Sequence, residues 1–149
     1  MIMFEKFGEF SSFEEINMAA EGFKNEGDLE SIKALAKENG IDDMDAEDYI
    51  AGDTDKLCTA TTAALGRLKV EKENSKADHN ITRVLFMIAE LMATNGKDAG
   101  IFLTKGKCLD GIINELRSEA SENKTGNVGC VCGTDLELMQ RIRKYYGRQ

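Results

Sequence analysis

Residues 78–96 read Asp78-His79-Asn80-Ile81-Thr82-Arg83-Val84-Leu85-Phe86-Met87-Ile88-Ala89-Glu90-Leu91-Met92-Ala93-Thr94-Asn95-Gly96. Ile81, Val84, Leu85, Ile88, Leu91 and Met92 recur at intervals of three and four, the spacing of one face of an α-helix. Asp78 stands where an N-cap belongs, and Asn95-Gly96 closes the pattern. The spacing predicts the most hydrophobic helix of the chain over about 79–95, with an apolar face wide enough for the core of a larger helical unit.

The same signals recur on both sides of it. Ser12-Phe13-Glu14-Glu15 has the spacing of a capping box, with Ser12 capping and Glu15 reaching back. Phe13, Ile16, Ala20 and Phe23 follow at helical intervals. Gly27-Asp28 ends that helix and opens a second, whose apolar stripe is Leu29, Ile32, Leu35 and Ala36 and whose stop is Asn39-Gly40. A third short helix is predicted over about 43–51, stopped at Gly52. A fourth covers about 55–73, with Leu57, Ala60, Ala64, Leu65 and Leu68 inward, and the charged run from Lys69 to Lys76 marks its end and a connection. Beyond Gly96 come a short helical piece over about 98–104 and an amphipathic helix over 108–122 carrying Leu109, Ile112, Ile113 and Leu116. The glycine-rich stretch from Gly126 to Gly133 reads as a loop or short strand. Thr134-Asp135-Leu136-Glu137 is a second capping box, opening a last helix with Leu138, Met139, Ile142 and Tyr145 or Tyr146 inward. The chain has no proline, which suits helices ended by glycine. The expected fold is mainly α: a compact helical bundle of about six to seven helices, with one short strand or extended loop near 127–132. Two units are expected, a small acidic three-helix unit over 1–54 and a larger helical unit over 55–149.

Length and composition bound the function. A chain of 149 residues is one domain or two very small ones. Its hydrophobic content of 42% is ordinary for a globular protein. No apolar run reaches the length of a membrane span. The opening Met1-Ile2-Met3-Phe4-Glu5-Lys6 lacks both a basic n-region and an apolar h-region, so a cytoplasmic location is expected. The four cysteines, Cys58, Cys108, Cys130 and Cys132, are then expected as reduced, mostly packed thiols.

Charge is distributed unevenly. Residues 1–56 hold 16 Asp/Glu and 5 Lys/Arg, a net of −11, whereas residues 57–149 hold 11 acids and 14 bases, a net of +3. From Glu38 to Asp55 there are eight acids and no base. The N-terminal half therefore cannot read a phosphate backbone, which requires cations. Calcium is tested first for such a segment. In an EF-hand register starting at Asp43, Asp48 occupies the glycine position and Thr54 the terminal glutamate position. Starting at Asp53, Cys58 occupies the glycine position, so neither register fits. Two readings stand for the acids Asp42, Asp43, Asp45, Glu47, Asp48, Asp53 and Asp55. They form a solvated face that keeps the chain soluble, or they form an array on rigid helices that imitates nucleic-acid phosphates and binds a protein partner with a basic groove. RNA-guided nucleases present such grooves, with arginines that read a short duplex motif.

The remaining chemistry is sparse. Cys130-x-Cys132 is too closely spaced for the usual first pair of a structural zinc site. His79, the only histidine, sits at a helix start with no nucleophile assigned to it. Between Gly100 and Lys107 the glycine spacing and Cys108 break the phosphate-loop pattern. Gly126 to Thr134 leads into a helix N-terminus and could hold an anion, although a tight turn into a capped helix explains it equally. No catalytic residue, metal or cofactor is assigned, and a non-enzymatic protein is expected. The bases Arg141, Arg143, Lys144 and Arg148 of the last helix suit the helix dipole, or alternatively a nucleic-acid or protein partner.

Several stretches carry a family resemblance. Phe4-Glu5-Lys6-Phe7-Gly8-Glu9-Phe10, Gly27 to Ala36, Asp45 to Ile50, Lys124-Thr125-Gly126-Asn127, Cys132 to Asp135 and Ile142-Arg143-Lys144-Tyr145-Tyr146 resemble small proteins carried by prophages and conjugative elements of gut Clostridia. The pattern over 105–146 is also similar to the PcfK-like proteins of conjugative plasmids, in which the acidic N-terminal unit has no counterpart. The resemblance implies a mobile-element protein, and anti-CRISPR inhibitors belong to that broad type. It carries over no catalytic residue. The expected function is inhibition of a host CRISPR-Cas nuclease by the acidic face. The alternative is a conjugation or phage accessory protein that binds its partner through the basic C-terminal helix.

Overall fold

The first two helices each begin where a side chain satisfies an otherwise orphaned backbone N–H. Ser12 accepts from the Glu15 N–H at 3.3 Å and opens α1, Phe13–Asn25. Asp28 accepts from the Ser31 N–H at 3.2 Å and opens α2, Leu29–Glu38. The Glu15 carboxylate bonds the N–H and hydroxyl of Ser11 rather than the Ser12 N–H, so the capping box is displaced by one residue from the expected form. The helix α3, Asp43–Ala51, ends on Gly52 at φ +84°, a left-handed conformation that glycine adopts without strain.

The computed structural model describes residues 3–75, 80–122 and 135–147, with the side chains of 120–122 left aside. It continues with α4, Ala60–Asn74, α5, Asn80–Thr94, a short 3-10 helix, Ala99–Leu103, then α6, Leu109–Glu122, and α7, Asp135–Tyr146. Among the described residues there are seven α-helices and no strand, a mainly helical bundle as expected from the sequence. The stretch near 127–132, with Cys130 and Cys132, and the caps expected at Asp78 and Thr134 lie outside the described residues, as does His79. No helix among the described residues is long and apolar enough to cross a membrane.

The fourth helix begins five residues later than the spacing predicts. Asn17 on α1 holds both backbone groups of Cys58: its amide donates to the Cys58 carbonyl at 2.9 Å and accepts from the Cys58 N–H at 3.0 Å. A helix through Cys58 would need those same groups. Thr59 then caps α4 by accepting from the Thr62 N–H at 3.1 Å. Leu57 is buried as expected, but from an irregular segment. The helix also runs through the charged stretch expected to end it, because its flank there is covered: Val70 and Glu71 are buried.

Burial falls into two apolar clusters, and α4 contributes to both. The first gathers Ile16, Ile32, Leu35, Ile41, Tyr49 and Leu57 with Ala63 of α4. The second gathers Leu85, Phe86, Ile88, Leu109, Ile112 and Ile142 with Ala64 and Leu68 of α4. Each such side chain, fully removed from water, contributes roughly 1.5–3 kcal/mol. The central position of α4 explains why it is buried on several sides, whereas α5, expected as the core helix of the larger unit, supplies Leu85, Phe86, Ile88, Ala89, Met92 and Ala93 to the second cluster and leaves its other side exposed. Leu91, expected inward, is 59% exposed beside Met87, while Phe86 is buried. The buried arc of α5 is centred on Leu85, Ala89 and Met92, which leaves Leu91 on the opposite side.

Close backbone approach fixes how α2 meets α4. A Cβ at Gly66, in the middle of α4, would stand 2.3 Å from the Asn39 carbonyl oxygen, and one at Gly40 would stand 2.3 Å from the Gly66 carbonyl oxygen. Only paired glycines permit this crossing.

A buried ionic clamp completes the frame. Arg67 on α4 is 3% exposed. Its Nη2 donates to Glu9 at 2.6 Å and to the Lys107 carbonyl at 3.0 Å, and its Nε donates to Glu71 at 3.0 Å. The guanidinium also lies 4.7 Å from the centroid of the Phe4 ring. Glu71 passes the connection on by accepting from the Leu109 N–H at 2.8 Å, at the start of α6. Glu9 accepts from the Gly106 N–H at 2.7 Å. The segment before α1, the helix α4 and the entry to α6 thus meet on one guanidinium. Burial raises the Glu71 carboxyl from 4.5 to about 7, outweighing the Leu109 hydrogen bond and the Arg67 charge, with nearby Asp110 adding to the rise.

Two stability experiments follow from these contacts. Gly66→Ala is expected to lower the unfolding free energy by about 3 kcal/mol, as for an overpacked core. Gly22→Ala, inside α1 with open space around its Cβ, is expected to raise it by roughly 0.5–1 kcal/mol. Urea unfolding of the two variants measures both, and a Gly66→Ala chain as stable as the wild type would refute the close crossing. The second experiment concerns Glu71. Between pH 4.5 and about 7 the folded chain holds a proton at Glu71 that the unfolded chain has released. The stability from that proton is complete below the unfolded value and is lost as pH rises through the folded one. Wild type is expected to weaken relative to Glu71→Gln across this window by on the order of 2–3 kcal/mol. A pH-independent difference between the two chains would contradict the raised value.

Candidate functional site: the acidic face of α3

The inward side of α3 is set by Ala46 and Tyr49, which are buried in the first cluster. Helical geometry then turns Met44, Glu47 and Asp48 to the opposite side, with Asp43 on one flank and Asp45 on the other. Asp43, Glu47 and Asp48 are exposed, and so are Asp42 before the helix and Asp53 and Asp55 after it. Asp45 is half-buried on the flank nearest Cys58. None of these seven carboxylates forms an ion pair with a described lysine or arginine.

Part of this charge has a local explanation. Asp43 and Asp45 lie in the first turn of α3, where a negative charge favours the helix dipole. At the other end, Lys24 of α1 donates to the Tyr49 carbonyl at 2.7 Å, placing a cation at the last turn. Asp48, Asp53 and Asp55 have no such role, because they sit at or beyond the end that disfavours anions. Asp53 follows Gly52 and its N–H returns to the Asp48 carbonyl at 2.9 Å, so the chain carries acids from the helix directly into the next turn. Acid counting misses an apolar side chain on this face: Met44 stands amid the carboxylates at 73% exposure.

The carboxylates diverge rather than converge. Among the described residues no group of three or more His, Cys, Asp or Glu side chains is placed to hold a metal ion together. The described thiols are held in their neutral form. Burial pushes Cys58 up to about 12, with Asp45 and Glu14 adding to it, and burial likewise raises Cys108. A nucleophilic cysteine needs the opposite shift.

The basic C-terminal helix is differently arranged. Arg143 grips Asp98 with two hydrogen bonds, at 3.2 and 2.8 Å, and Arg141 pairs with Glu119. These pairs join α7 to α6 and to the turn before the 3-10 helix. The hydrogen bond from Arg143 is the main cause holding the Asp98 carboxyl below its ordinary value. Lys107 donates to the Tyr145 carbonyl at 2.8 Å. Several cations of the C-terminal half therefore bind this protein's own groups, whereas Asp42, Asp43, Glu47, Asp48, Asp53 and Asp55 face solvent. No protein-family model, curated protein or solved structure matches the chain.

Proposed function

We propose that this chain is a non-enzymatic protein of a mobile genetic element that binds an RNA-guided CRISPR-Cas nuclease of its host and inhibits it. The acids of α3 and its flanking turns occupy the basic groove that otherwise takes nucleic acid. The observation that carries this reading is the row of exposed carboxylates, Asp42, Asp43, Glu47, Asp48, Asp53 and Asp55, which pair with no described lysine or arginine and lie on and beside a helix anchored by Ala46 and Tyr49. A rigid array keeps its spacing on binding and loses little conformational entropy, which favours affinity. Its field steers it to a positive surface and speeds association. Met44 adds an apolar contact that a purely solvating face does not need. The resemblance to clostridial mobile-element proteins supplies the biological setting.

The accessory-protein reading, through the basic terminal helix, is the weaker of the two. Arg141 and Arg143 are paired with Glu119 and Asp98, which offsets part of the charge a phosphate would meet there.

A variant carrying Asp43→Lys, Glu47→Lys and Asp48→Lys tests the mechanism and spares the half-buried Asp45. It is expected to fold with the wild-type circular dichroism spectrum and to lose the ability to block target-DNA binding by a purified clostridial nuclease–guide complex in a gel-shift assay. Retained blocking by the folded variant would refute mimicry by α3.

A further inference from the structure

A groove of about 500 Å³ separates α1 from the chain that follows α3. Glu14, Met18 and Glu21 line it from α1, and Asp55 and Lys56 from the other side, with Tyr49 between them. The spacing of four and three residues puts the first trio on one helix face, with about 10 Å from first to last. Met18 is 71% exposed, an apolar surface held between two exposed carboxylates. The groove already seats one cation of its own. Lys24 Nζ lies 4.4 Å from the centroid of the Tyr49 ring and donates to the Tyr49 carbonyl. The lining thus sets the three carboxylates of Glu14, Glu21 and Asp55 against two cations, Lys56 and Lys24, of which Lys24 is already held by Tyr49.

We propose that this groove anchors an arginine side chain of a basic protein partner. A long apolar stem ending in a cation matches the lining: the methylenes lie on Met18 and the guanidinium reaches the carboxylates on either wall. Arginine fits better than lysine because its planar fork donates in pairs to carboxylates and is less strongly hydrated. The inference rests on the reading of the chain as a protein that docks on a basic partner, and it adds a second contact beside α3, whose α1 wall of Glu14, Met18 and Glu21 lies outside the acid-rich segment and whose other wall shares Asp55 with it.

The probe is a short fluorescein-labelled peptide alternating arginine and glycine, followed by fluorescence anisotropy with the intact protein, alongside the same peptide with citrulline in place of arginine. The wild type is expected to bind the arginine peptide and not the citrulline one. Glu14→Gln with Glu21→Gln is expected to weaken binding about tenfold, and Asp43→Asn with Asp48→Asn to leave it within about twofold. Equal weakening by the two pairs would mean attraction by the overall field and would overturn the groove. So would unchanged binding by the Glu14/Glu21 variant. Arginine binding lost only with the groove pair, in a protein that inhibits no nuclease, would uphold the groove and remove the proposed partner. Nuclease inhibition lost only with the α3 acids, with the groove pair without effect on the peptide, would do the reverse.

Discussion

The guanidinium of Arg67 is the constraint on which the arrangement of this protein depends. A charge buried to this degree is tolerated only when its partners stay in place, and losing one typically costs about 3–5 kcal/mol. Its partners come from three separated parts of the chain: Glu9 before α1, Glu71 one turn along α4, and the Lys107 carbonyl at the entry to α6. Phe4, at φ +58° a rare backbone conformation for a residue with a side chain, lies against the same group. Hydrophobic burial alone would bring these segments together in many ways. The clamp selects one, since a fork of N–H groups donates to carboxylates only in certain directions. The close approach of the Asn39-Gly40 turn after α2 to Gly66 of α4 adds a steric constraint of the same kind.

This frame explains how a short, weakly amphipathic helix becomes a stable platform. The helix α3 has nine residues, fewer than an isolated helix needs in water. It persists because Ala46 and Tyr49 enter the first cluster, Lys24 binds its last turn and Gly52 ends it. Its outward side is then free of structural duty and carries charge at high density. In the C-terminal half the same physics runs the other way: Arg141, Arg143 and Lys107 hold helices and turns together. The excess of acid in the first 56 residues and of base in the rest thus becomes an asymmetry of use, with the acids on and around α3 toward solvent and several bases engaged by the protein's own groups.

Much of this was legible in the sequence where the determinants are local. Ser12, Asp28, Gly40 and Gly52 act within a turn of their own positions, so α1, α2 and α3 begin and end where the spacing places them. The start of α4 was not legible, since it depends on Asn17, 41 residues from Cys58. Arg67 and Glu71 look like an ordinary surface pair at i and i+4, and only Glu9, Phe4 and Leu109 arriving from elsewhere bury them. Leu91 is exposed although the spacing places it inward, and Phe86, to which the spacing assigns no role, is buried, because the buried arc of α5 is centred on Leu85, Ala89 and Met92. For the candidate site, the acids on and around α3 could be read from the chain, but the opposing wall of Glu14, Met18 and Glu21 could not. Those residues lie on a different helix and meet Asp55 only through the fold.

The central claim is that the acidic face takes the place of nucleic acid on a basic partner. The most direct measurement is the initial rate of target-DNA cleavage by purified clostridial RNA-guided nucleases, with this protein at several concentrations and target DNA varied at each. For a nuclease it inhibits, the account requires competition: saturating target DNA restores the full cleavage rate. Inhibition that saturating DNA does not relieve, or undiminished cleavage by every nuclease tested, would contradict it.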